Sequence, residues 1–211
     1  MITDQDVHDA LSTYLLRCPE DRAALAEPVR LIESGAAMTE RTCLPTHVTA
    51  SALLIDDQDR LLVIRHLVYG LELQPGGHLE PDDADLPGAA LRELAEETGI
   101  APELVDLAAT EAGYAICHRV PPSAAKAEPA HHHLDLGFLF TTTHPHIGAI
   151  NTAEVASAAW RPRTELPSFL AERLARAVRL LDVPAASRAC AVGGTGFSNL
   201  NWPADVEDPW N

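Results

Sequence analysis

Apolar and charged positions alternate at helical spacing between residues 7 and 34, first at Leu11, Tyr14 and Leu15, then at Leu25, Val29, Leu31 and Ile32. Pro19 and Pro28 punctuate that run. A proline inside a helix removes a backbone donor and clashes with the preceding turn, so two short helices are expected rather than one long one. Gly35 ends the segment. From His47 the texture changes to that of strands. HVTASALLID predicts a strand over 47–56, the Asp-rich residues 56–59 its turn, and RLLVIRH the next strand over 60–66. Residues 71–74 predict a short strand before Pro75, Gly76 and Gly77. Residues 87–98 then predict a helix. Pro87 suits its first turn, and Gly99 suits the left-handed position just past its end.

Further strands are predicted over 105–118 and 132–142, separated by the Pro- and Ala-rich loop RVPPSAAKAEPAHH, and a short final strand over 158–161. Pro167 or Ser168 opens a last helix, with Phe169, Leu170, Leu174, Val178 and Leu181 on one side. Beyond Pro184 the periodicity fails. That tail still holds Phe197, Trp202 and Trp210, more aromatic surface than a disordered segment needs. Part of it is expected to dock on the domain or on a neighbouring subunit of a homodimer. Strands and helices mixed in this order predict a layered α/β or α+β domain.

Charge narrows the partners. The chain has 31 Asp and Glu against 15 Lys and Arg, a net charge of −16. Such a surface repels duplex nucleic acid and anionic membranes. Phosphate substrates remain open, because a bound divalent cation reverses the local field. The first residues carry early acids and no long apolar run, unlike a signal peptide. The apolar stretches fall short of a membrane span. Cys18, Cys43, Cys117 and Cys190 are scattered without CxxC spacing, which fits reduced thiols and a cytoplasmic location.

The informative segment is GGHLEPDDADLPGAALRELAEETGI, residues 76–100. In a helix, Glu93, Glu96 and Glu97 stand at i, i+3 and i+4 and share one face. Three carboxylates so placed repel one another. They also occupy the last turns, where the helix dipole disfavours negative charge. Local stability does not account for them. A hard cation with oxygen ligands does, and Mg²⁺ or Mn²⁺ is the natural choice. Gly76 and Gly77 let the preceding backbone approach closely.

This segment resembles the Nudix box: Gly, five residues, Glu, seven residues, then Arg-Glu-apolar-x-Glu-Glu-x-Gly-apolar. The second half matches throughout, at Arg92, Glu93, Leu94, Glu96, Glu97, Gly99 and Ile100. The first half departs from the pattern. Gly77 lies fifteen positions before Arg92 instead of fourteen, and Asp83, beside Asp82, stands where the box glutamate belongs. The strand order extends the resemblance over about 47–181. The resemblance implies an α/β/α sandwich with a mixed sheet over 44–183, preceded by a helical segment over 1–40 and followed by a C-terminal extension over 184–211. It implies that Glu93, Glu96 and Glu97 bind Mg²⁺ or Mn²⁺, that one of them helps activate water, and that Gly76 lends a backbone carbonyl to the metal. Arg92 would orient the glutamates by pairing with Asp83 or a box glutamate. Glu154, six residues before Trp160, matches a loop glutamate that joins the metal site in some Nudix enzymes.

Outside the box, His131, His132 and His133 precede Asp135. Neighbours on a strand point to opposite faces, so His131 and His133 can share a face, as can His133 and Asp135. A zinc site needs more ligands than this local sequence supplies. Substrate contact is the preferred reading for His131, His133 and Asp135. His78, beside the glycine pair, is a candidate phosphate contact, with Arg65 and His66 candidates for the same cleft. Arg119 and Lys126 are candidate phosphate-binding cations. The expected function is Mg²⁺-dependent hydrolysis of a phosphoanhydride bond, in a small nucleoside diphosphate derivative. Two alternatives stand beside it. One is an isopentenyl-type diphosphate isomerase or hydrolase; the isomerase would need an additional acid/base pair, commonly a cysteine and a glutamate, with Cys43 or Cys117 as the cysteine. The other is a non-catalytic Nudix ligand sensor.

Overall fold

The computed structural model of the chain describes residues 1–122 and 128–182. The N-terminal segment forms two helices, α1 (Asp4–Arg17) and α2 (Ala26–Glu33), joined through a 3-10 turn at Pro19–Arg22. Thr3 caps α1 by accepting from the Asp6 backbone N–H, while the Asp6 side chain accepts from Thr3. Two otherwise orphan donors are thereby satisfied. The inward face of α1 is Val7, Leu11 and Tyr14.

Eight strands form one sheet: β1 (Thr46–Asp56), β2 (Arg60–His66), β3 (Glu72–Leu73), β4 (Gly76–His78), β5 (Asp106–Leu107), β6 (Tyr114–Val120), β7 (His131–Thr142) and β8 (Val155–Pro162). β1 runs parallel to β7 along its whole length, from Thr46 opposite His132 to Asp56 opposite Thr142. The remaining pairings among the described residues are antiparallel. β1 is buried at every position, which is why its sequence carries apolar or small residues on both faces.

Alternation along β1 divides the core. Val48, Ala50, Ala52 and Leu54 face α3 (Leu86–Thr98), which contributes Ala89, Ala90 and Leu94, and the same cluster takes in Val7, Leu11 and Tyr14 of α1. Leu53 and Ile55 point the other way, with Leu61, Val63, Tyr114 and Leu139, onto Leu170, Leu174 and Ala177 of α4 (Ser168–Asp182). The chain is an α/β/α sandwich with a mixed sheet. A buried polar triad ties α1 to α4: the Tyr14 hydroxyl donates to Asp21 at 2.5 Å, and Arg176 reaches both.

Four sequence expectations are corrected. The single strand expected over 105–118 is two, β5 and β6, because the chain leaves the sheet before Gly113. There it passes so close to α4 that a Cβ would lie 2.6 Å from the Ala177 Cβ. Gly76 and Gly77, placed beyond the end of the short strand expected over 71–74, form a strand of their own, β4, with His78 and pair with β1. The final strand starts three residues earlier than expected, at Val155, because β8 pairs with β2 as far back as His66. On α4, Leu181 is 38% exposed, and Leu180 takes the inward position at 6%. Both continue the apolar stripe of a 3.6-residue period, and Leu180 is the one beside α1, whose Arg17 donates to its carbonyl at 2.5 Å. The aromatic tail residues Phe197, Trp202 and Trp210, and Lys126, lie outside the described residues. Among the described residues no helix is long and apolar enough to cross a membrane.

Candidate active site

α3 is fixed at both ends. Asp85 caps it by accepting from the Gly88 N–H at 2.7 Å, and Gly99 closes it at φ 67°. A side chain at Gly99 would be strained by that φ and would also strike the Ala149 backbone, 2.5 Å from its Cβ. Leu94 and Ile100 are fully buried and set the rotation of the helix. That rotation turns Glu93 and Glu97 toward β4 and leaves Glu96 exposed. Glu97 is 3% exposed and accepts from the Gly76 N–H at 3.0 Å. A Cβ on Gly77 would lie 2.6 Å from the Glu93 carboxylate, and one on Gly76 would lie 2.3 Å from the Ser51 Oγ. The glycine pair is therefore what lets strand β4 sit between β1 and the carboxylates.

Arg92 organises the acids around it. Its Nε donates to the Asp83 Oδ1 at 2.9 Å, and its Nη2 to the Asp83 Oδ2 at 3.1 Å and the His78 carbonyl at 2.8 Å. Its Nη1 donates to Glu93 at 3.0 Å and Glu96 at 3.3 Å. Asp83 is buried, and Arg92 holds its carboxyl below the usual range against the opposing effect of burial. Glu93 moves the other way. Burial raises its pKa to about 7, despite Arg92, with Glu96 and Glu154 adding repulsion. Burial raises Glu97 to about 8, the Gly76 N–H opposing and Glu93, Glu154 and Glu96 adding to the rise.

Glu154 sits on a loop that closes over the end of α3. Gly148 N–H donates to the Thr98 carbonyl at 3.0 Å, and Asn151 N–H to the Glu97 carbonyl at 3.2 Å. These bonds satisfy carbonyls that a helix end otherwise leaves open. The Asn151 side chain holds Glu154 at 3.1 Å. Crowded oxygen donors, two of them with proton affinity raised by burial and mutual repulsion, form a donor set suited to a hard divalent cation. The residues present therefore fit Mg²⁺ or Mn²⁺.

The histidines gather elsewhere. His47 and Thr49 on β1 stand opposite His133 and Asp135 on β7, and Thr49 also stands opposite His78 on β4. Paired residues share a face, so these side chains lie on the α4 side of the sheet, away from the glutamates. His47, His78, His131 and His133 bring their rings together at centroid distances of 4.7–5.1 Å. Burial lowers the pKa of His47, sends that of His118 down to about 4 and puts that of His133 far below the ordinary range. His47 was missed as a site residue. Its signal was non-local: only the parallel register of β1 with β7 sets it beside His133.

Asp135 lies in an internal hub instead of an open cleft. It is 3% exposed and accepts from Ser51 at 2.7 Å, the Tyr114 hydroxyl at 2.8 Å and Thr49 at 3.1 Å. Arg65 is exposed at the end of β2, where alternation puts it on the α4 side with Leu61 and Val63. His66 accepts from the Val68 N–H in the following turn and packs on Tyr69. Arg119 is exposed on β6, opposite His132. Cys117 packs against the α1–α3 core, and burial pushes its thiol up to about 11, a poor proton donor or acceptor near neutral pH.

The NUDIX domain model matches residues 45–181, and the chain belongs to that family. No curated protein matches the chain. Similar solved structures include a Caenorhabditis elegans Ap4A hydrolase binary complex, 16% identical with TM-score 0.47, covering 64% of this chain and 96% of that one. The MutT protein of Methanosarcina mazei is 18% identical with TM-score 0.46, covering 66% and 97%. The NUDIX domain of Shewanella oneidensis NrtR, complexed with ADP-ribose, is 20% identical with TM-score 0.45, covering 63% and 87%.

Proposed function

We propose that this chain hydrolyses a phosphoanhydride bond in a small nucleoside diphosphate derivative with Mg²⁺ or Mn²⁺ as cofactor. One observation carries the reading: Glu93 and Glu97 turn onto the Gly76–Gly77 strand, while Arg92, pinned by Asp83, reaches Glu93 and Glu96. Glu93, Glu96 and Glu97 would hold the cation, with the Gly76 carbonyl and Glu154 as further oxygen donors. A bound divalent cation would neutralise the diphosphate and lower the pKa of water.

The chain's own residues do the rest. Water attacks phosphorus, the anhydride P–O bond breaks, and the departing phosphate leaves as an anion. The attacking water must lose a proton, and a helix glutamate near neutral pKa is matched to receive it. Arg92 fixes the carboxylate orientations, which converts a mobile acidic surface into a positioned one. His78, His131, His133 and Arg65, expected from the sequence as substrate contacts, stand on the sheet face opposite the carboxylates, so the reading draws no substrate contact from them. The test is a panel of nucleoside diphosphate derivatives and isoprenoid diphosphates with Mg²⁺, scored by product release. Cleavage of a nucleotide substrate that Glu97→Gln abolishes supports the reading; ligand binding with no turnover of any panel member overturns it in favour of a sensor.

A further inference from the structure

We propose that His47, His78 and His133 form a second metal site, suited to Zn²⁺, on the sheet face opposite the α3 glutamates. The ligand nitrogens of the three lie within 4.8 Å of one another. The His47 and His78 Nε2 atoms already face each other at 3.1 Å. A tetrahedral Zn²⁺ with Zn–N bonds of about 2.1 Å sets its ligand atoms roughly 3.4 Å apart, so side-chain rotation alone closes the wider gap. The three residues stand on adjacent strands in fixed register, His47 opposite His133 and Thr49 opposite His78. A sheet holds ligands more rigidly than loops do.

The tautomers point the same way. The His47 Nδ1 lies 3.2 Å from the Cys43 carbonyl, and the His131 Nδ1 lies 2.8 Å from the Pro129 carbonyl. A carbonyl only accepts, so each Nδ1 carries the proton and each Nε2 turns a bare lone pair into the cluster. That is the outer arrangement by which proteins orient metal-binding imidazoles. The His131 Nε2 lies 3.1 Å from the His133 Nε2 and flanks the three ligands. His118 lies behind His133, ring centroids 5.5 Å apart, with a buried Nδ1 that has no hydrogen-bond partner among the described residues. All these donors are imidazoles, which select Zn²⁺ and its neighbours over Mg²⁺. The molecule thus sorts two kinds of cation by ligand type, carboxylates on one face and imidazoles on the other. The inference does not rest on the hydrolytic reading.

The test uses the full chain stripped by a chelator and titrated with Co²⁺, then with Zn²⁺ against a chromophoric competitor. The expected result is one equivalent bound, with the visible absorption of low-coordinate Co²⁺, undisturbed by excess Mg²⁺. The band should persist in a Glu93→Gln, Glu97→Gln double variant. Affinity should fall at least about a hundredfold in His47→Ala or His133→Ala, and about tenfold in His131→Ala. Should the buried variants fail to fold, His78→Gln on the less buried strand β4 carries the same comparison, with circular dichroism as the control. No Co²⁺ band in the wild type, or a band lost in the glutamate variant and kept in the histidine variants, overturns the proposal. In that case His47–His78 and His131–His133 are simply two hydrogen-bonded imidazole pairs.

Discussion

Arg92 grips Asp83 through two donors, Nε to Oδ1 at 2.9 Å and Nη2 to Oδ2 at 3.1 Å, while its remaining nitrogen reaches Glu93 and Glu96. The family pattern has a glutamate and a loop one residue shorter. Here the longer loop carries the shorter acid to the same guanidinium. The Glu80 N–H donates to Asp83 at 2.7 Å and holds it in that pose. Asp83→Ala should therefore lower kcat about ten- to a hundredfold, the range of outer metal partners. Metal affinity should survive. Asp82 is exposed, and Asp82→Ala should keep the wild-type rate. Kinetics of the two variants side by side check this, and equal wild-type rates would remove Asp83 from the machinery.

Glu93→Gln and Glu97→Gln should each lower kcat about a hundredfold or more, as expected when a cation ligand or general base is lost. EDTA should abolish activity of the wild type, and Mg²⁺ or Mn²⁺ should restore it. Turnover that survives both treatments would leave α3 as a solvated acidic face.

Glu93 and Glu97 titrate in the fold at about 7 and about 8, against 4.5 for an ordinary glutamate. Between those values the metal-free fold binds more protons than the unfolded chain. Their contribution is complete below the unfolded value and is lost as pH rises through 7 to 8. The metal-free protein should thus show a Tm several degrees lower at about pH 8.5 than at about pH 5.5. The slope should flatten in the Glu93→Gln, Glu97→Gln double variant. Mg²⁺ should raise Tm chiefly at the higher pH, because only the ionised carboxylates bind it. Thermal melts across pH decide it.

Asp135 accepts three side-chain hydroxyls inside the sheet–α4 layer. Asp135→Ala would leave those buried donors without their acceptor. A loss of about 2–4 kcal/mol in unfolding free energy is expected, from one or more unsatisfied groups plus the vacated volume. Urea denaturation measures it. A change in KM alone, with unaltered stability, would restore Asp135 to the substrate pocket.

The sequence by itself determined the parts governed by near neighbours. Helical spacing put Glu93 and Glu97 on one face, Pro87 and Gly99 marked the ends of α3, and the Nudix-like pattern named the acids around Arg92. It also determined the strands β1, β2 and β7, whose apolar runs reflect burial on both sides. It did not determine that Gly76 and Gly77 belong to a strand, because their pairing partner, β1, lies some 25 residues away. Nor did it reveal why both must be glycine: the forbidding atoms belong to Ser51 and Glu93. The histidine cluster was beyond it as well. Local alternation placed His131 with His133 and left too few ligands for a metal. Only the parallel register of β1 with β7 and the antiparallel register of β4 with β1 bring in His47 and His78. Periodicity records which way a side chain points from its own backbone. Which other backbone it then meets is fixed by strand pairing, and that is decided by the free energy of the whole folded core.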